Sequence, residues 1–481
     1  MFPSPPLTIW RTLALPTLLT LLTGCAVGPN YRRPGVDTPA AFRDASETTS
    51  TNSLADLPWW GLFKDETLQG LIVAALTNNY DLRIAVTRVE QARLVQVQSQ
   101  SAFLPAVGYG GEAARGRNVL LSLPSPNGGK TLDSFAGGFG ALWEIDLWGR
   151  IRRQNEAANA GYLATREAQH GIRLTLVSAV AKAYLELLEL DAKLEIARNT
   201  VGSFERTFKL FQDQHENGLA SKLELSRADA ALHSVSASIP ELKRQIALKE
   251  NEICILLGRN PGPVQRGATL LEQPLPPDVP AGLPAARLER RPDIRQAEQQ
   301  LRAANAQIGV AVGDFFPKIG LTALYGGVST ELSALTSGGA NAWSLAATAT
   351  GPLFQGGRLQ ARYRQAQAAA EQARLHYQQT ALEAFREVAD ALVSRQRLEE
   401  AHTEQAAAVA AYRDAVAVAT DRYNAGKASY YEVLEAQQQR FPAENTLSQI
   451  EAARRLVLVQ LYKALGGGWG LEEERWGREL R

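Results

Sequence analysis

Glu432 and Glu435 stand three apart, a spacing that puts two carboxylates on neighbouring positions of one helix face. They follow Gly426-Lys427-Ala428-Ser429, a turn whose counterpart Gly218-Leu219-Ala220-Ser221 lies 208 residues earlier (426 − 218). Turned towards a symmetry axis, such acids would form rings of charge that attract cations and repel one another. Two solvated helix acids would read the same way. Glycine in these turns suits the left-handed conformation that ends a helix, and the serine after it can cap the next. No other constellation assembles into an active site. The five histidines, His170, His215, His233, His376 and His402, are scattered over helical patterning. One Met and two Cys are too few soft ligands for a metal-handling protein, and no spacing resembles a zinc site. Gly466-Gly467-Gly468 has no strand before it and reads as a frayed terminus rather than a phosphate cradle. Trp59 and Trp60 read as packing rather than a ligand box. No enzyme activity, metal or cofactor is expected, and a net charge of +1 without a basic cluster argues against nucleic acid.

Cys25 has a chemistry of its own. Arg11 precedes a short apolar run, Leu13 to Leu22, which is too short to span a bilayer and ends in Leu22-Thr23-Gly24-Cys25. That ending resembles a bacterial lipobox, in which the cysteine receives S-diacylglycerol and, once cleavage exposes it, an N-acyl chain. An ordinary secretory signal with a cysteine at its cleavage site is the alternative. Ala26 follows where an Asp would signal inner-membrane retention, so the outer membrane is the expected location. No later segment has the ~20 apolar residues of a membrane helix, so any crossing must use strands.

The elements that position these residues occur twice. Leu257-Gly258 and Leu465-Gly466 keep the 208-residue separation, as do Arg150 and Arg358. Upstream, Phe103-Leu104-Pro105 returns as Phe315-Phe316-Pro317 at an offset of 212 (317 − 105), which places a length difference between Pro105 and Arg150. Each unit reads helix, strand, loop, strand, very long helix, turn, helix. Repeat 1 covers 65–258, with a helix from Asp65 to Phe103, a hairpin over 106–147 and helices over 151–217 and 222–257. A Pro-rich linker over 259–286 leads to repeat 2 over 287–466, with a hairpin over 318–354 and helices over 358–425 and 430–465. Residues 1–24 form the signal, 25–64 an N-terminal segment and 467–481 a tail. The stretch from Arg358 to Ala425 holds neither Gly nor Pro, and as one helix would run roughly 100 Å. Its many alanines suit close side-by-side packing of rods.

Four segments alternate with period two. Phe135, Phe139, Trp143 and Ile145 oppose Ser134, Gly138, Glu144 and Asp146, and Ile319, Leu321 and Tyr325 oppose Lys318, Gly320 and Thr322. Trp343, Leu345 and Ala347 oppose Ser344, Ala346 and Thr348, while Val107 and Tyr109 begin the weakest of the four. An apolar face against a small or polar one is what lipid outside and water inside require. A soluble sheet with one wet face would give the same alternation. Four strands cannot close a membrane barrel, because open edges in hydrocarbon are too costly; a threefold ring would supply twelve. The expected fold is therefore mostly α with a small β part. It combines a long α-helical coiled-coil tunnel with a transmembrane β-barrel, four strands per protomer and twelve per trimer, from an internal tandem duplication.

Taken in order, these features resemble the TolC-like outer-membrane efflux family, more closely its lipoprotein branch with OprM- and NodT-like members. The resemblance rests on the lipobox, Pro58-Trp59-Trp60 with Phe63 and Leu68, the two Phe-x-Pro strand entries, Gly356-Gly357-Arg358 and the two Gly-x-Ala-Ser turns. It implies a homotrimer in outer-membrane lipid, a passive duct for drugs and toxic solutes within a tripartite pump, and the N-terminal segment on an equatorial belt. The implied partners are a periplasmic membrane-fusion adaptor and an inner-membrane RND-type transporter. On this likeness Gly218, Leu219, Ala220, Ser221, Gly426, Lys427, Ala428 and Ser429 are adaptor-docking tips, and Glu432 and Glu435 form the pore constriction. Tyr423 and Glu224 would latch the closed mouth; a further latching arginine found in some members is Ala428 here. A type I protein-secretion channel and a non-channel periplasmic lipoprotein scaffold are the alternatives.

Overall fold

A computed structural model describes residues 26–36, 59–117, 131–273 and 290–467. The signal peptide, Cys25 and the tail from 468 lie outside these residues. The chain divides into two compact units. One comprises Met1–Gly35, Arg88–Arg166 and Gln296–Gln378; the other comprises Val36–Thr87, Glu167–Arg295 and Gln379–Arg481.

In chain order the helices are α1 (Trp59–Leu62), α2 (Glu66–Asn78), α3 (Tyr80–Ser101), α4 (Arg150–Glu216), α5 (Lys222–Ser236) and α6 (Ser238–Leu256). The second repeat supplies α7 (Pro292–Gly313), α8 (Arg358–Asn424) and α9 (Tyr430–Ala464). The strands are β1 (Ala106–Arg117), β2 (Thr131–Ile145), β3 (Lys318–Ser329) and β4 (Asn341–Thr350). α4 and α8 are each 67 residues long, equal in the two repeats.

Three expectations need correction. The helix expected over Asp65 to Phe103 is two helices. Asn79 between them takes an extended ψ of 129°, its Oδ1 accepts from Leu82 N at 3.0 Å, and its Nδ2 donates to Leu256 O at 3.0 Å. A buried polar side chain that caps one helix and ties a second offsets the loss of a continuous turn. The helix expected over 222–257 is divided at Ala237, because Pro240 has no N–H for the Ser236 carbonyl and its ring crowds that oxygen. Gly466 and Gly467 do not fray. They are buried, and their N–H groups bond Lys463 O at 2.9 Å and Tyr462 O at 3.0 Å, closing the end of α9.

The sheet-bearing unit joins the repeats directly. All four strands form one antiparallel sheet in the order β1-β2-β3-β4, so the two hairpins meet through β2 and β3. Their tight contact needs Gly138 and Gly326 face to face: a Cβ on Gly326 would lie 2.2 Å from Gly137 O. The first described residues pack in this unit, both at its strand-to-helix junction and along the helices, where Tyr31 OH donates to Glu298 Oε1 at 3.3 Å in α7 and Arg33 Nε donates to Tyr377 OH at 3.1 Å in α8. Residues 37–58 of the segment expected on an equatorial belt lie outside the described residues. Val27 N donates to Trp148 O at 3.0 Å, and the buried Arg153 guanidinium reaches Val27 O at 3.2 Å and Asn30 Oδ1 at 2.6 Å. Ala26 lies so close to Gly149 that a Cβ there would be 2.5 Å from its Cα. Asp146 starts α4 at this junction, accepting from Ile151 N at 2.9 Å and Arg152 N at 2.8 Å.

The other unit has a helical core around Leu68, Ile72, Tyr184, Leu187, Ile253 and Leu461, each under 2% exposed. Asp65 caps α2 through Thr67 N at 2.8 Å and accepts the Tyr184 hydroxyl at 3.1 Å. Burial raises that phenol to about 12, so it remains a donor at any physiological pH.

Candidate functional site: helical turns and sheet edges

Both Gly-x-Ala-Ser turns lie in the helical unit and close in the same way. Gly218, at φ +72°, donates to His215 O at 3.0 Å, and Leu219 N donates to Gln214 O at 2.8 Å. Gly426, at φ +67°, donates to Tyr423 O at 2.9 Å, and Lys427 N donates to Arg422 O at 2.9 Å. Paired bonds of this kind satisfy the last carbonyls of α4 and α8 while the left-handed glycine reverses the chain. Leu219 is left 80% exposed, an apolar side chain held out at a rigid turn.

The following serines differ. Ser221 forms a capping box: its Oγ accepts from Glu224 N at 3.3 Å, and Glu224 Oε2 accepts from Ser221 N at 2.7 Å and Oγ at 2.8 Å. These donors, first the backbone N–H, hold the Glu224 carboxyl below its ordinary range, with Arg227 adding to the effect. Ser429 also precedes a helix, but its side chain makes no cap bond. Glu432, the repeat equivalent of Glu224 (432 − 208), instead approaches Arg422 at 3.7 Å. Glu435 is exposed one turn on. Two carboxylates thus sit on an exposed face, one facing a guanidinium across the turn.

Behind the turns lies a cluster of Phe204, Phe211, Ala228, Ala231, Ala419, Tyr430, Val433 and Leu434. Tyr430 packs edge-on against Phe211 at 4.7 Å and Tyr423 at 4.9 Å, and its hydroxyl meets Thr207 Oγ1. Burial pushes the Tyr430 phenol up from its ordinary value. Tyr423 OH accepts from Gln214 Nε2 at 2.9 Å, joining α4 to α8. Tyr423 and Glu224 are therefore engaged separately in this protomer, the first with Gln214 and the second with Ser221. Sequence reasoning missed Gln214, Arg422 and Arg227, whose guanidinium stands 5.3 Å over the Tyr431 ring. An arginine one residue before Tyr423 was the available signal for Arg422; Gln214 left none.

On the sheet, odd-numbered residues share one face across all four strands. Tyr109, Phe139, Tyr325 and Trp343 stand directly opposite one another in a single row, between 62% and 89% exposed. The next row towards the helices is Val107, Ala141, Ala323 and Leu345. Towards the loops the face passes through Gly111, Gly137 and Gly327 and then Ala113 and Phe135 before it becomes charged, with Arg115 and Asp133 paired at 3.6 Å. An aromatic row bounding an apolar band is the pattern of a lipid-facing barrel wall. Among the described residues, β1 and β4 each pair on one side only, and no helix is long and apolar enough to cross a membrane. Nor do any three of His, Cys, Asp and Glu group there as metal ligands.

The family model described as outer membrane efflux protein matches residues 71–259 and 283–467, one match for each repeat. The cation efflux system protein CusC of Escherichia coli O6:H1 is 33% identical over 451 residues, covering 93% of this chain and 96% of CusC. The toluene efflux pump outer membrane protein TtgI of Pseudomonas putida is 35% identical over 463 residues, covering 95% and 98%. Among solved structures, the Campylobacter jejuni CmeC outer membrane channel superposes with a TM-score of 0.88 at 25% identity, covering 95% of this chain and 98% of that one. The open state of the Neisseria gonorrhoeae MtrE outer membrane channel gives 0.84 at 30% identity, covering 92% and 99%. With both halves matched, the chain belongs to the outer membrane efflux protein family and is the outer-membrane channel component of a tripartite efflux pump.

Proposed function

We propose that three copies of this chain close their sheets into one twelve-stranded barrel and act as a passive duct, not an enzyme, for small toxic molecules. The observation that carries this reading is the sheet itself: four strands, an apolar outer face, and two unpaired edges that hydrocarbon would not tolerate. Substrate would be delivered by an inner-membrane transporter through a periplasmic adaptor. The adaptor's natural seats are the two turns, where Leu219 and Ala220 present apolar surface on a preorganised backbone. Glu432 and Glu435 would face the axis as rings of three carboxylates, with Arg422 partly neutralising the first. Cys25 would carry the acyl chains. The packing of Ala26 beside Gly149, where strand gives way to helix, brings the chain into the fold at the level of the membrane boundary and supports that anchoring.

Purified mature protein in planar bilayers tests the duct. Discrete single-channel steps are expected, with a preference for cations. Protein that binds membranes through its lipid but never conducts, even with the turns loosened by substitution, would favour the scaffold reading.

A further inference from the structure

The ring just proposed requires β4 of one copy to meet β1 of the next, and from the sheet geometry we infer the register of that seam. Residues of β4 stand opposite residues of the next copy's β1 whose numbers add to 458. Asn341 then faces Arg117 of the next copy, and Thr350 faces its Gly108. The inference rests on the ring reading and goes beyond it.

Three constraints converge. The first is parity. Every row within the sheet keeps odd-numbered residues on one face, as in Tyr109, Phe139, Tyr325 and Trp343. A seam that keeps the apolar face outside needs an even sum, because a slip of one residue would turn that face inward.

The second is stagger. The row through Thr350 passes Lys318 and, on the registers of the other pairs, reaches position 146 (464 − 318) and then 102 (248 − 146). β1 begins only at Ala106, so the helix-side ends climb by 4 residues (106 − 102) over three strand-to-strand steps. Strands in a closed barrel are tilted, and their ends step along the rows in this way. The individual steps are 3, 1 and 0 residues, and their mean carried to a fourth makes the climb about five residues per copy, which parity resolves to about four or six. Without stagger the aromatic row would run straight on, Trp343 beside Tyr109 of the next copy, at a sum of 452 (343 + 109). Six residues more gives 458. Three copies then accumulate a stagger of about 18 residues, ~59 Å at ~3.3 Å each, around a circumference of twelve strands at ~4.8 Å, ~58 Å. That ratio corresponds to a tilt of about 45°, within the range of about 35–45° for membrane-spanning strands; a sum of 456 would give about 35°, so the choice between the two falls to the edges. A stagger in the opposite direction would run β4 past the start of β1 and leave its backbone groups unpaired in lipid.

The third is the edge chemistry. At both 456 and 458 all ten residues of β4 fall within the twelve of β1, so the flanking side chains decide between them. Just beyond β4, Leu353 and Phe354 are 105% and 89% exposed, and beside β1 Leu104 is 68% exposed. Counted on at 458, Leu353 and Phe354 come abreast of Pro105 and Leu104 of the next copy, so these apolar side chains cover one another. At a sum of 456 they would instead meet the last turn after α3.

Paired cysteines read the register directly. Thr348→Cys with Gly110→Cys tests the lumen face at 458, and Ala347→Cys with Gly111→Cys tests the outer face. A Cβ meets nothing within 4 Å at Gly110 and only Ala136 O at 3.9 Å at Gly111, so both glycines accept the substitution. Thr348→Cys with Gly108→Cys reports 456, and Ser344→Cys with Gly108→Cys reports 452. The buried Cys254 stays out of the reaction if thiols are blocked before unfolding. Mild oxidation of the 458 pairs is expected to give a covalent three-copy species on denaturing gels, at least tenfold above the 456 and 452 pairs. A three-copy product mainly from 456 or 452 overturns the register and leaves the ring intact. No product from any pair, while the unsubstituted protein has the native mass of three copies, likewise overturns the register. A native mass of one copy refutes the ring itself.

Discussion

Ser221 and Ser429 occupy equivalent positions after equivalent turns, yet replacing them with alanine should have unequal effects. Ser221→Ala removes the Oγ that accepts from Glu224 N at 3.3 Å and donates to Glu224 Oε2 at 2.8 Å, leaving only the backbone arm of the box at 2.7 Å. Loss of a serine cap costs about 1 kcal/mol, and the exposure of this turn gives no reason to place it higher. At 25 °C that is about a fivefold rise in the open population of the first turn of α5. Ser429→Ala removes a side chain that makes no cap bond, so the first turn of α9 should change by less than about twofold. Amide hydrogen exchange read by mass spectrometry, on peptides spanning the starts of α5 and α9, measures both in one sample. Equal acceleration at the two turns, or none at α5, would refute the claim that a local capping box makes the turns unequal.

Acid should erase the same difference. The folded Glu224 carboxyl lies below its ordinary 4.5, so its stabilisation is present above that value and is lost as pH falls through the lower folded value. Exchange protection at the start of α5, corrected for intrinsic rates, should therefore drop on acidification, and Glu224→Gln should abolish that dependence. In the sheet, Gly326→Ala would set a Cβ 2.2 Å from Gly137 O, whereas Gly110→Ala meets nothing within 4 Å. The first should sharply reduce the heat-modifiable membrane form on gels while the second leaves it unchanged. Glu432→Gln with Glu435→Gln should lower the cation preference of the conductance, measured as a reversal-potential shift in a salt gradient; an unmoved potential would remove both from the pore.

Much of this fold was legible because duplication and periodicity are long-range signals. The offset of 208 residues recurs in the structure as matched left-handed glycines at Gly218 and Gly426 and as two 67-residue helices. Alternation marked β2, β3 and β4, whereas at β1 only Val107 and Tyr109 carried the signal. Local competition was harder to read. Asn79 breaks a helical pattern because its amide finds partners in two other segments, and no periodicity reveals partners so distant in sequence. Pro240 was visible, but Pro442 sits inside the unbroken α9, so proline alone does not decide where a helix divides. The joining of β2 to β3 across the repeats depends on Gly138 and Gly326 facing each other, which a strand-by-strand reading cannot show. At the turns, residue types marked the position, whereas the difference between Glu224 and Glu432 came from the competing arginine at position 422.

The most direct measurement is the native mass of the mature, lipid-bearing protein extracted in detergent. A single species of three chains, persisting on dilution and lost only when the sheet is melted, is the expected result. One chain per particle, soluble with no detergent present, would contradict the account at its root.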